Sequence, residues 1–267
     1  MVFKKIRRGH VDWRNFLCST PARDYVFQKE EYVSQLDRAA EYIRKADSII
    51  VGAGAGASTA AGIQYGGKRF TDNFGEFIEK YGVHYMTDMY AAGFYPYPSE
   101  EAKWGYWSKH ALMNRFDLPA LPLYTKLYDI VKSKEYFVLT TNVDHQFYKA
   151  GFDEKRIFAT QGDYGKIQCQ KACHKKTYDA KDLFRKMDEA RKGCLIPSEL
   201  VPKCPVCGGN MAMNLRCDNY FVEDEAWHEA ADRYAGFLEQ NKDKKVVLLE
   251  LGVGFNTPEY IPTLCTI

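Results

Sequence analysis

One stretch constrains the fold of this chain more than any other. The apolar run Ile49-Ile50-Val51 opens directly into Gly52, Gly54 and Gly56, and then into small residues from Ala57 to Ala61. The run is short and bounded by turn residues, which predicts a buried parallel strand. Glycines let backbone approach a pyrophosphate closely, and the N–H groups at the start of the next helix point at its charge. The stretch therefore predicts a dinucleotide site, with pyrophosphate against Gly54 to Ser58. Ordinary strand-to-helix turns also use glycine, so the weight of this reading comes from the rest of the chain.

Upstream, residues 24–46 place Tyr32, Leu36, Ala39, Ala40 and Ile43 at helical spacing, a helix leading into the strand. From Thr71 to Tyr128 the pattern changes to crowded aromatics, among them Phe74, Phe77, Trp104 and Tyr106, cut by Pro96, Pro98, Pro119 and Pro122. This predicts an inserted module of short helices, its aromatics forming a core with a few lining a cleft. Strand-and-helix alternation then resumes: a helix from Leu123 to Val131, a strand from Tyr136 to Thr140 and a third strand from Arg156 to Thr160. The second strand runs into Asn142 and Asp144, the third into Gln161-Gly162-Asp163, and polar residues at the carboxyl ends of parallel strands lie where open α/β sheets bind ligands. Tyr220 to Glu223 is expected as a short strand, Trp227 to Leu238 as an amphipathic helix, and Lys245 to Leu251 as a buried strand ending in a second glycine-bearing loop, Gly252-Val253-Gly254-Phe255-Asn256.

Cys169 and Cys173 form C-x3-C, and Cys204 and Cys207 form C-x2-C within CPVCGG. Paired thiolates at these spacings suit a closed tetrahedral Zn2+ site with a structural role. His174 is an alternative ligand, made awkward by its adjacency to Cys173. Cys18, Cys194, Cys217 and Cys265 lack such pairing and are expected as buried thiols, and the charged segment Tyr178 to Lys192 as a solvated helix.

The chain has 267 residues, 46% hydrophobic and 27% charged, with a net charge of +2, which fits a globular protein and gives no bulk-charge argument for nucleic-acid or membrane partners. The basic N-terminus lacks the apolar core of a signal peptide, and eight cysteines without an export signal point to metal binding or free thiols, hence to a cytoplasmic protein.

Together these residues resemble the sirtuins, from about Asp47 onward. Gly54-Ala55-Gly56-Ala57-Ser58 through Gly62-Ile63 matches the family's GAGxS…GI element, Thr140 to Asp144 with Ala150-Gly151 its TxNxD…AG element, and the four paired cysteines its zinc ligands. Phe221-Val222-Glu223 matches its FGE element with one change, and Gly252-Val253-Gly254 aligns with its GTS loop. The resemblance implies an α/β fold: a doubly wound, Rossmann-like large domain (residues 1–70, 123–165 and 218–267) and a small domain made of a helical module (71–122) and a zinc ribbon (166–217). It also implies NAD as substrate, held by Gly54, Ala55, Ser58, Gly62, Ile63, Arg69, Asn142, Asp144, Gln161, Gly252, Gly254 and Asn256.

The departures point to one branch. Deacylating sirtuins carry His-Gly after the third strand, the histidine being the general base; here the residues are Gln161-Gly162. The family's Pro-Asp-Phe-Arg is replaced by Gln64-Tyr65-Gly66-Gly67, and the acyl-lysine-binding glycine of FGE by Val222. These changes resemble the macrodomain-linked, class M sirtuins. That resemblance implies protein ADP-ribosylation of a lipoylated glycine-cleavage H-like carrier, a functional link to a macrodomain ADP-ribosyl hydrolase, and Asn142 and Gln161 as the catalytic pair, with Asp144 holding the nicotinamide amide. Cleaving the nicotinamide–ribose bond passes through an oxocarbenium-like transition state whose leaving group departs neutral, so orientation and charge stabilisation suffice. Deacylation further needs a titrating base, which a glutamine amide is not. A deacylase, an NAD glycohydrolase and a non-catalytic NAD-sensing module are the competing readings. His145, beside the site residues, is the one candidate for a replacement base and is expected to point away.

Overall fold

The computed structural model describes residues 32–253. Helix α1 (Tyr32–Lys45) ends on Arg44 and Lys45, cations placed against its terminal carbonyls. It feeds strand β1 (Ser48–Ala53), whose residues are all buried, as expected of a strand with parallel neighbours on both sides. Helix α2 (Ala55–Ala60) follows at once, then α3 (Gly67–Tyr81), α4 (Met89–Gly93) and α5 (Glu100–Ala111). Asp88 caps α4 by accepting from the Tyr90 and Ala91 amides, and Ser99 caps α5 by accepting from the Ala102 amide. One π-helical turn, Leu112–Phe116, extends α5.

Helix α6 (Pro122–Val131) starts on proline, where the missing N–H costs nothing. Strand β2 (Glu135–Thr140), the short helix α7 (Gln146–Lys149) and strand β3 (Ile157–Ala159) come next. Strands β4 (Gly162–Cys169) and β5 (Thr177–Asp179), helix α8 (Lys181–Ala190) and strand β6 (Met211–Leu215) follow, and helix α9 (Glu225–Asn241) leads to strand β7 (Val246–Leu251). The main sheet has order β3-β2-β1-β7, all parallel, in the register Ile50↔Phe137 and Ile50↔Leu248 across its centre. A separate antiparallel sheet has order β5-β4-β6.

Helices cover both faces of the main sheet. On one face Ile49, Val51 and Val138 pack with Tyr124, Leu127 and Val131 of α6; on the other Ile50, Phe137 and Phe158 pack with Tyr234 and Phe237 of α9. This is the doubly wound α/β layering expected from the sequence. A further core joins Phe70, Phe74, Phe77, Trp104 and Tyr106 of the helical insertion to Ile167, Met211 and Met213 of the antiparallel sheet. Among the described residues no helix is long and apolar enough to cross a membrane.

Four expectations are corrected. Strand β7 is half-buried rather than buried, Leu249 alone being fully covered, because it is the edge strand of the sheet among the described residues. Tyr220 to Glu223 is not a strand: the Val222 amide donates to Gln168 Oε1 (2.9 Å) and its carbonyl accepts from Asn214 Nδ2 (3.1 Å), so side-chain amides replace a strand ladder. Helix α8 is not solvated all round, because Phe184 and Met187 are fully buried, Phe184 against Trp104. Cys217 is exposed rather than buried, whereas Cys194 is buried; Cys18 and Cys265 lie outside the described residues.

Candidate functional site

The carboxyl end of the main sheet gathers two loops and one polar cluster. Gly54 N donates to Leu251 O (3.0 Å) and Gly56 N to Gly252 O (2.9 Å), so the loop after β7 lies across the start of α2. A Cβ on Gly54 would stand 2.7 Å from Gly252 O, and one on Gly56 2.7 Å from Gly252 Cα. The glycines thus have a reason besides ligand approach: two backbones touch here. Gly252 also has φ +61°, and a Cβ there would stand 2.1 Å from Ala57 N. Gly252→Ala should therefore cost about 2 kcal/mol or more, from left-handed strain plus a backbone clash. A thermal melt unchanged from the parent would show that the loops do not pack in this way. Gly254 and Asn256, the other expected ligands of this loop, lie outside the described residues.

Ser58 on α2, Tyr124 on α6, and Asn142 and Asp144 after β2 form one hydrogen-bonded cluster. Asn142 Nδ2 donates to Ser58 Oγ (3.1 Å) and to Tyr124 Oη (3.2 Å), the Ser58 hydroxyl donates to Asp144 Oδ2, and Ser58 and Tyr124 oxygens lie 2.8 Å apart. Because the Ser58 proton goes to Asp144, Tyr124 must donate to Ser58. The chain of donors then runs Asn142 to Tyr124 to Ser58 to Asp144. With both amide hydrogens committed, Asn142 presents Oδ1, an acceptor, to whatever enters the site. Tyr124 is fully buried, and no signal in the sequence separated it from the other aromatics; only its partners identify it.

Asp144 is itself buried, and Oδ1 accepts from the Gln146 amide at 3.1 Å. Burial pushes its pKa up against the Ser58 and Gln146 hydrogen bonds. An ionised carboxylate held there destabilises the fold, as functional charges often do. The sign follows: the penalty is present above the raised folded pKa and disappears as pH falls below the ordinary value of 3.8. Asp144→Asn removes the charge and keeps one of the two acceptor oxygens. It should raise the melting temperature at pH 7 and lose that advantage near pH 3 while losing activity; a variant less stable than the parent at pH 7 would contradict this.

Tyr65 and Tyr164 are hydroxyl to hydroxyl at 3.0 Å, and burial raises both phenol pKa values, with the Asp144 charge as a further cause. His110 is fully buried edge-on to Tyr164, and burial drives its pKa down to about 3, so it is neutral. Arg69 reaches back to Gln64 O (3.0 Å), and Ile63 is buried with its amide on Ser58 O (2.9 Å). Ala55 and Gly62 are exposed, Gly62 with φ +105°.

Gln161 stands apart from the cluster: among the described residues no hydrogen bond joins it to Ser58, Tyr124, Asn142 or Asp144, and only its main chain is held, the carbonyl accepting from Arg216 N at 3.1 Å. His145, in left-handed conformation (φ 65°), stacks on Tyr148 and lies 2.9 Å through Nδ1 from Asp163 Oδ2. Asp163 also pairs with Arg115 Nε at 3.0 Å. Burial works against the Asp163 charge, but His145 and Arg115 outweigh it and hold the carboxyl at about 2.

The four paired cysteines meet in one cluster that could hold a metal ion. Sulfur atoms of Cys169, Cys173, Cys204 and Cys207 all lie within 4.8 Å of one another, with Cys169–Cys207 at 3.7 Å and Cys173–Cys204 at 3.6 Å. Four Zn–S bonds of about 2.3 Å at tetrahedral angles put sulfurs about 3.8 Å apart, so the thiols fit zinc. His174 turns its Nε2 to Tyr178 Oη (2.8 Å).

No protein-family model matches the chain. A protein ADP-ribosyltransferase of Staphylococcus aureus is 40% identical over 233 residues, covering 87% of this chain and 73% of the relative. A probable bifunctional ADP-ribose hydrolase/ADP-ribosyltransferase of Fusarium oxysporum f. sp. cubense is 32% identical over 237 residues, covering 84% of this chain and 38% of the relative, so the chain spans well under half of that protein. Among solved structures, a mutant Sir2 homologue with ADP-ribose has a TM-score of 0.53 at 15% identity, covering 85% of this chain and 79% of that one. A Sir2 homologue in complex with NAD has a TM-score of 0.51 at 14% identity, covering 85% and 77%. The structural likeness establishes a shared fold.

Proposed function

The chain belongs to the protein ADP-ribosyltransferases and has the sirtuin fold, and we propose that it transfers ADP-ribose from NAD to a lipoylated glycine-cleavage H-like carrier protein, releasing nicotinamide. The observation that carries this reading is the donor chain from Asn142 to Asp144, which leaves the Asn142 carbonyl oxygen as a preset acceptor; Gln161, which follows β3, has no titrating proton. NAD would lie across the carboxyl ends of the strands, its pyrophosphate at Gly54 to Ser58, with Gly252 and Arg69 nearby. Asn142 Oδ1 accepts a hydrogen bond from the nicotinamide ribose and faces the positive charge that develops as the glycosidic bond lengthens. Asp144 holds the carboxamide of the leaving group and contributes negative charge. Gln161 hydrogen-bonds ribose hydroxyls without taking a proton. The neutral leaving group needs no acid, so the bond pair departs with nicotinamide and the acceptor's own electron pair closes on the ribose carbon, a neutral acceptor giving up its proton to solvent.

His145 supports the same reading. Its Nδ1 lies on Asp163 and its ring stacks on Tyr148, and no hydrogen bond among the described residues joins it to Ser58, Tyr124, Asn142 or Asp144, which favours a place outside the cluster. The lipoylated carrier is supported by the likeness to class M sirtuins. The naming of a relative as a joint hydrolase and transferase favours a link to a macrodomain ADP-ribosyl hydrolase. We place the protein in the cytoplasm, with residues 71–122 and 166–217 as its small domain. Labelled NAD incubated with lipoylated and unlipoylated carrier protein, read by mass spectrometry, tests the proposal. ADP-ribosylated carrier is the expected product; O-acyl-ADP-ribose from an acylated peptide, or free ADP-ribose alone, would overturn it.

A further inference from the structure

The peptide that carries Gln161 is gripped by one side chain that no motif points to. Arg216 follows β6, and its main-chain N–H donates to Gln161 O at 3.1 Å while its Nε donates to Thr160 O at 3.4 Å. Trp227 Nε1 donates to the same Thr160 carbonyl at 3.3 Å. The guanidinium lies 4.3 Å from the centre of the Phe221 ring and 5.5 Å from that of Trp227, and Arg216 Nη2 pairs with Glu223 Oε1 at 2.5 Å. A planar cation stacked on two rings and forked onto a carboxylate and a carbonyl has little freedom.

The next residue tightens the same joint. Gly162 has φ +96°, and a Cβ there would stand 1.9 Å from Asn214 O, because β4 and β6 meet at the pair Gly162↔Leu215. Residues 160–162 are therefore fastened to residues 214–216 through main chain and side chain together, while the Gln161 amide has no hydrogen-bond partner among the described residues. The main chain at this point is therefore fixed.

We infer that Arg216 is a positioning residue: it holds the Thr160–Gln161 peptide so that the Gln161 amide meets the nicotinamide ribose in one orientation. The inference rests on the role proposed above for Gln161. Arg216→Ala removes the Nε donor, the stack and the Glu223 pair but leaves the main-chain donor to Gln161 O in place. A loosened positioning group commonly costs up to about 100-fold in rate.

The test is a double-mutant cycle on Arg216 and Gln161, read as nicotinamide released from NAD with water as acceptor, so that no partner protein is required. Arg216→Ala and Gln161→Ala should each lower kcat about 10- to 100-fold, with KM for NAD within about threefold, and the double variant should be no slower than the slower single variant. Trp227→Phe, which removes only the indole donor to Thr160 O, should show the same coupling at a smaller size and serves if Arg216→Ala does not fold. Losses that multiply in the double variants, or an Arg216→Ala variant that folds and works at the parental rate while Gln161→Ala is slow, would overturn the inference. Parental activity in Gln161→Ala would instead overturn the role of Gln161 itself, and a parent that releases no nicotinamide either with water or with lipoylated carrier protein would overturn the transferase reading.

Discussion

Cys204→Ser is expected to release the metal and unfold the antiparallel sheet together with the core it shares with the helical insertion. The knuckle holds its shape through Cys204 N to Gly209 O and Gly208 N to Cys204 O, both 2.8 Å, but these are two bonds on an exposed turn. Binding of zinc to comparable thiolate sites contributes about 10–16 kcal/mol in zinc-finger peptides, more than most whole domains have in net stability. Cys204 itself is buried, as are Met211 and Met213 of the strand that follows it, in the core that includes Trp104 and Phe184. Loss of the metal would therefore free β6 from a packed layer, not merely open a surface loop. It would also reach the site, since Gln161 O is held by the residue just past β6. Metal analysis, near-ultraviolet circular dichroism and a chelator titration check this. A metal-free protein with parental tertiary signal and melting temperature would refute a structural role for the four thiols.

Local signals in the sequence identified those parts of the fold whose physics is local. Ile49 to Val51 could be read as a doubly covered parallel strand because burial on both faces removes polar alternation, and the structure buries every residue of β1. Helix α9 could be read from its periodicity and is capped by Asp224 accepting from Trp227 N. The antiparallel sheet was not legible. β4 contains Gly162, Asp163 and Lys166, and β5 is three residues long, so neither shows clean alternation. Their pairing depends on contacts distant in sequence, with Ile167 opposite both Tyr178 and Met213. The failure at Tyr220 to Glu223 has the same origin: aromatic and β-branched residues suggested a strand, yet Gln168 and Asn214 supply its partners from side chains.

The site divides in a similar way. Asn142, Asp144 and Ser58 were visible because they sit in motifs at the ends of strands, where ligand groups belong in this class of sheet. Tyr124 was not, because one tyrosine on an amphipathic helix looks like any other until its hydroxyl is seen between Ser58 and Asn142. Arg216 was hidden too: its guanidinium acts on a main-chain carbonyl 56 positions away, and hydrogen bonds of that kind leave no residue pattern. His145 was noticed for its place beside Asp144, but its direction depends on a left-handed backbone and on Asp163, neither of which can be read from adjacency.

Asn142→Ala is expected to be the most damaging single change that leaves the protein folded. Asn142 is half-buried and donates to two hydroxyls, so its removal leaves Ser58 still bonded both to Tyr124 and to Asp144. Those groups stay satisfied, and the stability cost should stay near 1 kcal/mol. The catalytic cost should be larger. In the proposed mechanism alanine removes the Oδ1 acceptor from the ribose and from the charge that develops beside it, and loss of one such prearranged dipole typically lowers kcat by about 100- to 1,000-fold, or roughly 3–4 kcal/mol of transition-state stabilisation. Because the interaction strengthens only as the bond breaks, KM for NAD should move little. Tyr124→Phe gives a graded control: it breaks the donor chain that orients the amide while leaving Asn142 in place, and about a tenfold loss is expected. The measurement is steady-state nicotinamide release alongside calorimetric NAD titration. If Asn142→Ala keeps kcat within threefold of the parent, or if the whole loss appears in NAD affinity, then Asn142 binds the substrate without acting on the transition state, and the polarity of the Asn142–Tyr124–Ser58–Asp144 chain has no catalytic meaning.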